Sequence, residues 1–197
     1  MTIQQQLDAA ISKWNLLNHP FYQAWSNGTL PVEKLKTYSA EYASFIQTIA
    51  AGWEAVGNAD VATEEREHYI LWQDFARSLG NVTVSHSLDA VDELVATCSA
   101  NNNTLATALG GLYAFEAQQP YTSQSKLKGL RTHYATLSCD ETYFKIHEND
   151  FDEPAMLVAD LEKLNSAEQQ QAVAACEAVA EKLWNTLSAI HGEAVMC

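Results

Sequence analysis

The sequence predicts an all-α protein of seven or eight helices in one domain. Three observations carry that expectation. Apolar residues recur at three- and four-residue spacing through most of the 197 residues, which is the period of a half-buried helix. Gly, Pro, Asn and Ser punctuate the periodic segments at intervals that suit helix starts and stops. The one stretch that alternates like a strand, Asn81 to Ser85, is too short for a sheet. With 47% apolar residues the chain can fill one core, and its length makes two ordinary domains improbable, so residues 1–197 read as a single domain.

In order, Ile3, Leu7, Ile11, Trp14 and Leu17 place a first helix over residues 2–18, with Thr2 as its cap. His19-Pro20 breaks it, and a short second helix starts on Pro20 and stops at Gly28. Pro31 opens a longer helix to about Gly57, with Leu35, Tyr38, Tyr42, Phe45, Ile46, Ile49 and Trp53 on its apolar stripe and Glu41 between the aromatics. Asp60 is the expected cap of a helix that ends at Gly80, and Ser87 the expected cap of the next. Three asparagines, Asn101 to Asn103, then form a turn.

The segment Ala106 to Leu130 is apolar on nearly every face, as in a helix at the centre of a protein, yet it carries Glu116. Pro120 cannot donate a hydrogen bond to the Glu116 carbonyl, so a kink is expected there. A buried carboxylate needs a cation, hydrogen-bond donors, a raised pKa or a metal ion, and Lys126 is one candidate partner. Asp140 caps a helix through His147 and Asp150, and Ser166 with Gln169 suggests a capping box for a last helix to about His191.

Lys and Arg total 11 against 25 Asp and Glu, a formal charge of -14. That balance repels nucleic acid and anionic membranes. The N-terminus has no basic segment followed by an apolar run, and no stretch approaches a membrane span, so a cytoplasmic protein is expected. Cys98, Cys139, Cys176 and Cys197 lie far apart with no C-x-x-C pair, which argues for reduced thiols and against a zinc knuckle. His19, just before a proline, reads as a local cap rather than a haem ligand.

Acids and histidines share helical faces at three places: Glu64 or Glu65 with His68, Glu116 at its proline, and His147 with Asp150. In helical bundles, carboxylates and Glu-x-x-His pairs pointing inward hold iron or manganese, and Glu65-Arg66-Glu67-His68 has that form. A charged helix also produces this spacing by chance.

Four blocks resemble a known family: His19 to Leu30 followed by Leu35, Tyr38 and Tyr42; HYILWQDFARSLG; LYAFEAQQP with KLKGL; and YFKIHENDFDE. In this order they are similar to the heme-oxygenase-like superfamily, which includes the thiaminase II (TenA/THI-4) proteins, pyrroloquinoline-quinone synthase (PqqC) and, nearest by these blocks, the chlamydial death-domain-associating proteins. The resemblance implies a compact heme-oxygenase-like bundle with a central cavity, holding two metal ions that activate oxygen in the iron-containing branch. It places His68, Glu116 and His147 on metal-ligand positions. Tyr22, Tyr38 and Lys126 fall on residues tied to an oxidative, self-sacrificing synthesis of p-aminobenzoate.

The ligand set is degenerate. The family's first Glu falls on Val61, and its H-x-x-x-D-x-x-H falls on Phe151 and Pro154. Retention of iron or manganese then needs Glu64 or Glu65 for the missing Glu and Asp150 or Asp152 for the missing Asp, and even then one imidazole is gone. The expected function is a cavity that binds a small molecule without a full di-iron centre. The alternative is an oxygen-activating oxidoreductase using Glu65, His68, Glu116, His147 and Asp150. Thiaminase II-like hydrolysis is a further alternative, although no thiol lies in the Leu109 to Tyr113 turn where that nucleophile belongs. A small-molecule ligand is the expected partner, and the resemblance leaves room for a homodimer.

Overall fold

The structure, a computed structural model, describes residues 1–81 and 83–192. Among them eleven α-helical segments pack around one core, and none of the described residues is in a strand. The segments are α1 (Ile3–Ser12), α2 (Pro20–Ser26), α3 (Val32–Glu41), α4 (Ala43–Ala55), α5 (Ala59–Ser78) and α6 (Asp89–Asn101). They continue as α7 (Leu105–Glu116), α8 (Gln119–His133), α9 (Thr142–His147), α10 (Asp152–Leu161) and α11 (Ser166–His191).

Two breaks and one helix not expected from the sequence, α10, account for the excess over the expected eight. The helix expected from Pro31 to Gly57 is divided at Tyr42. The expected kink at Pro120 is a full break: α7 ends at Glu116, and α8 restarts with Pro120 in its first turn, where a missing N–H costs nothing. The chain also turns over residues 148–151, between α9 and α10.

Several caps differ by one or two residues from the sequence reading. Asn58, not Asp60, caps α5 by accepting from the Val61 amide at 3.2 Å. Asn165 with Glu168, not Ser166 with Gln169, makes the capping box of α11. Thr2 caps α1 as expected, and the His19 Nδ1 accepts from the Phe21 amide at 3.0 Å to cap α2. Cys98, Cys139 and Cys176 are free thiols; Cys197 lies outside the described residues.

Ser87 does not cap α6 itself. Its amide and hydroxyl, with the Leu88 amide, donate four hydrogen bonds of 2.7 to 3.2 Å to the buried carboxylate of Glu41. Glu41 thus supplies from α3 what the start of α6 lacks. Glu41→Ala leaves those donors without their acceptor, and we expect a loss of about 2 kcal/mol in stability, read as a lower urea midpoint at unchanged m.

The centre of the bundle is α7 against α11. At Gly110 the two backbones touch, since a Cβ there would stand 2.0 Å from the Ala172 carbonyl oxygen. This contact fixes α7 along its length and presents Glu116, at its C-terminal end, to α5 and α10.

Candidate metal centre and the buried lysine

Glu65 and His68 lie three residues apart on α5 and share one face; Glu64, a hundred degrees round the helix, is exposed. Glu65 is 2% exposed, and its Oε1 lies 2.8 Å from His68 Nδ1 and 3.9 Å from His147 Nε2. The two imidazoles meet edge to face with centroids 4.7 Å apart. One donor atom from each of Glu65, His68 and His147 falls within 4.8 Å of the other two.

His147 is oriented from behind. Its Nδ1 donates to the Tyr143 carbonyl at 2.7 Å, one turn earlier on α9, which turns Nε2 toward Glu65. A backbone carbonyl fixing the far nitrogen is the arrangement found behind metal-bound histidines.

Glu116 and Glu153 complete the group. Trp53 Nε1 donates to Glu116 Oε1 at 3.3 Å, and the Glu116 and Glu153 carboxyls lie within hydrogen-bonding reach of each other. Burial pushes Glu116 well above the usual carboxylate range, and the charges of Glu153 and Glu65 push the same way. Burial, then Glu65 and Asp150, raises Glu153 to about 8. Glu65 goes the other way: burial would raise it, but hydrogen bonds to His147 and His68 bring it down to about 2. His68 is raised, because Glu65 outweighs its burial.

The site residues expected from the sequence therefore fall into two sets. Glu65, His68 and His147 converge, and Glu116 is buried close enough to feel the charge of Glu65. Asp150 lies half-buried in the turn after α9, close enough to act on His68 and Glu153 through its charge but outside the triad of donors. The acid of this segment that is buried beside Glu116 is Glu153, in the first turn of α10. Phe151 is exposed and Val61 is a buried apolar residue on α5.

Lys126 is not the partner of Glu116. It takes part in no ion pair among the described residues; its ammonium nitrogen lies 5.6 Å from the Tyr22 ring centroid, 5.7 Å from Tyr38 and 5.1 Å from Phe144. Burial alone lowers it to about 7. Tyr22 and Tyr38 are raised by burial and stay protonated at neutral pH. Where the resemblance implies a cavity, rings pack against rings: Tyr38 to Trp72 at 5.4 Å, Trp72 to Tyr143 at 4.9 Å and Tyr143 to His147 at 4.4 Å. A surface cleft of about 280 Å³ between α4 and α5 reaches Glu65 past Glu54 and Arg66.

Helical segments thus enclose a carboxylate and imidazole cluster and hold a lysine among aromatic rings, polar groups placed in the core of a helical bundle. The model of the TENA/THI-4/PQQC family matches residues 7–57. The 4-aminobenzoate synthase of Nitrosomonas europaea is 29% identical, over 96% of this chain and 91% of that one. The enzyme of the same name from Chlamydia pneumoniae is 28% identical, over 97% and 96%. Among solved structures, a TenA homologue from Pseudomonas syringae superimposes with TM-score 0.79 at 15% identity, covering 95% of this chain and 92% of that one. A CADD-like protein from Nostoc punctiforme gives 0.63 at 20%, covering 99% and 97%. The chain has the all-helical fold of the TenA homologues, and its sequence is similar to the 4-aminobenzoate synthases along most of its length and to the TENA/THI-4/PQQC family over residues 7–57. No helix among the described residues is long and apolar enough to cross a membrane.

Proposed function

We propose that this chain is a metal-dependent oxidoreductase of the 4-aminobenzoate synthase kind, with iron or manganese held by Glu65, His68, Glu116, His147 and Glu153. One observation carries the reading: buried Glu65 faces two imidazoles with two more buried acids, Glu116 and Glu153, near it, and no Lys or Arg among the described residues is paired with any of the three acids. Without a cation two of the acids must hold protons, as their raised pKa values indicate. Oxygen and imidazole donors in that number suit iron or manganese. Glu153 makes good one of the two ligands absent from the H-x-x-x-D-x-x-H pattern, and Glu65 stands in for the Glu absent at Val61.

Iron or manganese bound there would supply oxygen activation and one-electron oxidation. The chain supplies the rest. The Tyr143 carbonyl keeps the proton of His147 on Nδ1, so Nε2 stays free to ligate. Lys126, its amine lowered to about 7 by burial, lies against the Tyr22 and Tyr38 rings; joining its nitrogen to either ring would replace a ring C–H by C–N in a two-electron oxidation, with oxygen as the oxidant, reduced as the two hydrogens leave as protons. Ring-to-ring packing around them favours reaction of the chain's own side chains over turnover of a bound aromatic substrate. Free cysteines among the described residues suit a cytoplasmic enzyme, with a homodimer as the simplest assembly.

Protein produced with added iron and manganese is expected to carry about one equivalent of metal per chain or more by elemental analysis, and to release 4-aminobenzoate in air. Glu153→Ala is expected to weaken metal retention about 10- to 100-fold. Folded wild-type protein that holds less than about a tenth of an equivalent would overturn the reading.

A further inference from the structure

Among the described residues, Tyr121 and Phe151 are the only aromatic side chains left exposed, at 53% and 44%. They are also in contact, with rings edge to face and centroids 5.6 Å apart. Single apolar side chains at a surface need no explanation, but two rings gathered along one cleft mark a place of contact. The cleft measures about 540 Å³ and is lined by Asp8 on α1, Tyr113 on α7, Tyr121 on α8, Val158 on α10 and Phe151 just before α10. A second cleft of about 330 Å³ shares Asp8, Ala117 and Tyr121 with it. Both have the size of small-molecule sites.

Charge says what such a molecule carries. Asp8 is the one charged residue among those lining either cleft, and no Lys, Arg or His joins it. The Tyr113 hydroxyl donates to Asp8 Oδ1 at 2.8 Å and ties the carboxylate of α1 to α7. Burial, and after it Asp8 itself, raises the Tyr113 pKa, so the phenol keeps the proton that it donates. A carboxylate attracts cations and repels anions, and the negative faces of aromatic rings select the same sign. The formal charge of -14 adds to both. A metal ion is poorly served, because one carboxylate falls short of the oxygen ligands that Mg²⁺ or Ca²⁺ takes. A methylated ammonium is well served, since its charge is spread over methyl groups that pack on rings.

We propose that the cleft binds a small organic cation, a quaternary or methylated ammonium, with its head between the Asp8 carboxylate and the rings of Tyr121 and Phe151. The site is separate from the metal cluster: Ala117 and Pro154 line it, the chain neighbours of Glu116 and Glu153, but neither acid does. It therefore stands or falls independently of the oxidoreductase reading.

The test is a titration of the full-length protein with choline and with dimethylbutanol, the uncharged isostere that has carbon in place of nitrogen, followed by amide chemical shifts and calorimetry. Choline is expected to saturate, with its shifts centred on the cleft residues Ala117, Tyr121 and Ala155, and to bind at least about tenfold more tightly than the alcohol. Asp8→Asn keeps the shape of the side chain and an acceptor for the Tyr113 hydroxyl, and it is expected to weaken choline about tenfold while leaving the alcohol unchanged. Tyr121→Leu is expected to weaken choline by about threefold or more. Both substitutions fall on exposed side chains, so the fold is retained. Choline bound no more than about twice as tightly as the alcohol, wild-type affinity in Asp8→Asn, or shifts centred away from the cleft overturns the proposal. So does sedimentation in which Tyr121→Leu turns a dimer into monomers while choline leaves the wild type unmoved, since the rings then meet a second copy of the chain.

Discussion

Lys126→Met should abolish 4-aminobenzoate formation, to below about 1% of wild type, while making the protein more stable at neutral and acid pH. Methionine matches the lysine stem in length and packs against Tyr22, Tyr38 and Phe144 without a charge to bury. The sign of the stability change follows from the lysine's own titration. Its pKa falls from 10.5 in the open chain to about 7 in the fold, so between those values the unfolded chain holds more protons and wild-type stability rises with pH. The advantage of the methionine variant is therefore full below pH 7, declines at up to about 1.4 kcal/mol per pH unit above it, and is gone near pH 10.5. Chemical denaturation of both proteins at pH 6, 8 and 10, together with chromatography of the released amine, checks both halves. A variant less stable than wild type at pH 6 would mean that the ammonium has a stabilising partner.

Glu65→Ala should have the largest effect on metal. Glu65 alone among the acids touches both imidazoles, and its low pKa makes it a full anion in the absence of metal. Its loss removes a ligand and the charge that orients the other two donors, so metal affinity is expected to fall at least about 100-fold, with product formation falling alongside. Calorimetric titration of the metal-free variant with Mn²⁺, beside the wild type, measures this directly. Affinity within a factor of about three of wild type would exclude Glu65 from the ligand set.

The fold was legible because it is written locally. The period of the apolar residues, Pro20, Gly80 and Thr2 mark helix bodies and ends without reference to anything distant. The interruptions at Tyr42 and Glu116 were harder, since whether a helix bends or breaks depends on what packs against it. Of the expected residues, Glu65 and His68 share a face because they lie three apart on one helix, which spacing alone decides, whereas the approach of His147 on α9 depends on how the helices pack. Asp150 against Glu153 shows the limit. Counting from His147 along an unbroken helix brings Asp150 back to the same face at i+3, but the chain turns over residues 148–151 and restarts in a new phase, which carries Glu153 inward. The acid run before Pro154 hinted at a helix start, yet no local signal says which of its acids faces the core. The isolation of Lys126 from Glu116 was hidden for the same reason, because the break after Glu116 turns α8 toward the tyrosines.

The turn between α9 and α10 also divides the donors by mechanical support. Glu65, His68 and Glu116 stand on long helices, and α7 is locked to α11 where Gly110 meets Ala172. His147 and Glu153 stand on a six-residue and a ten-residue helix, one at the end and one at the beginning. An ion gripped by both groups would tie a light flap to a rigid frame, serving residues 142–161 as a clasp in a chain that has no disulfide among its described residues.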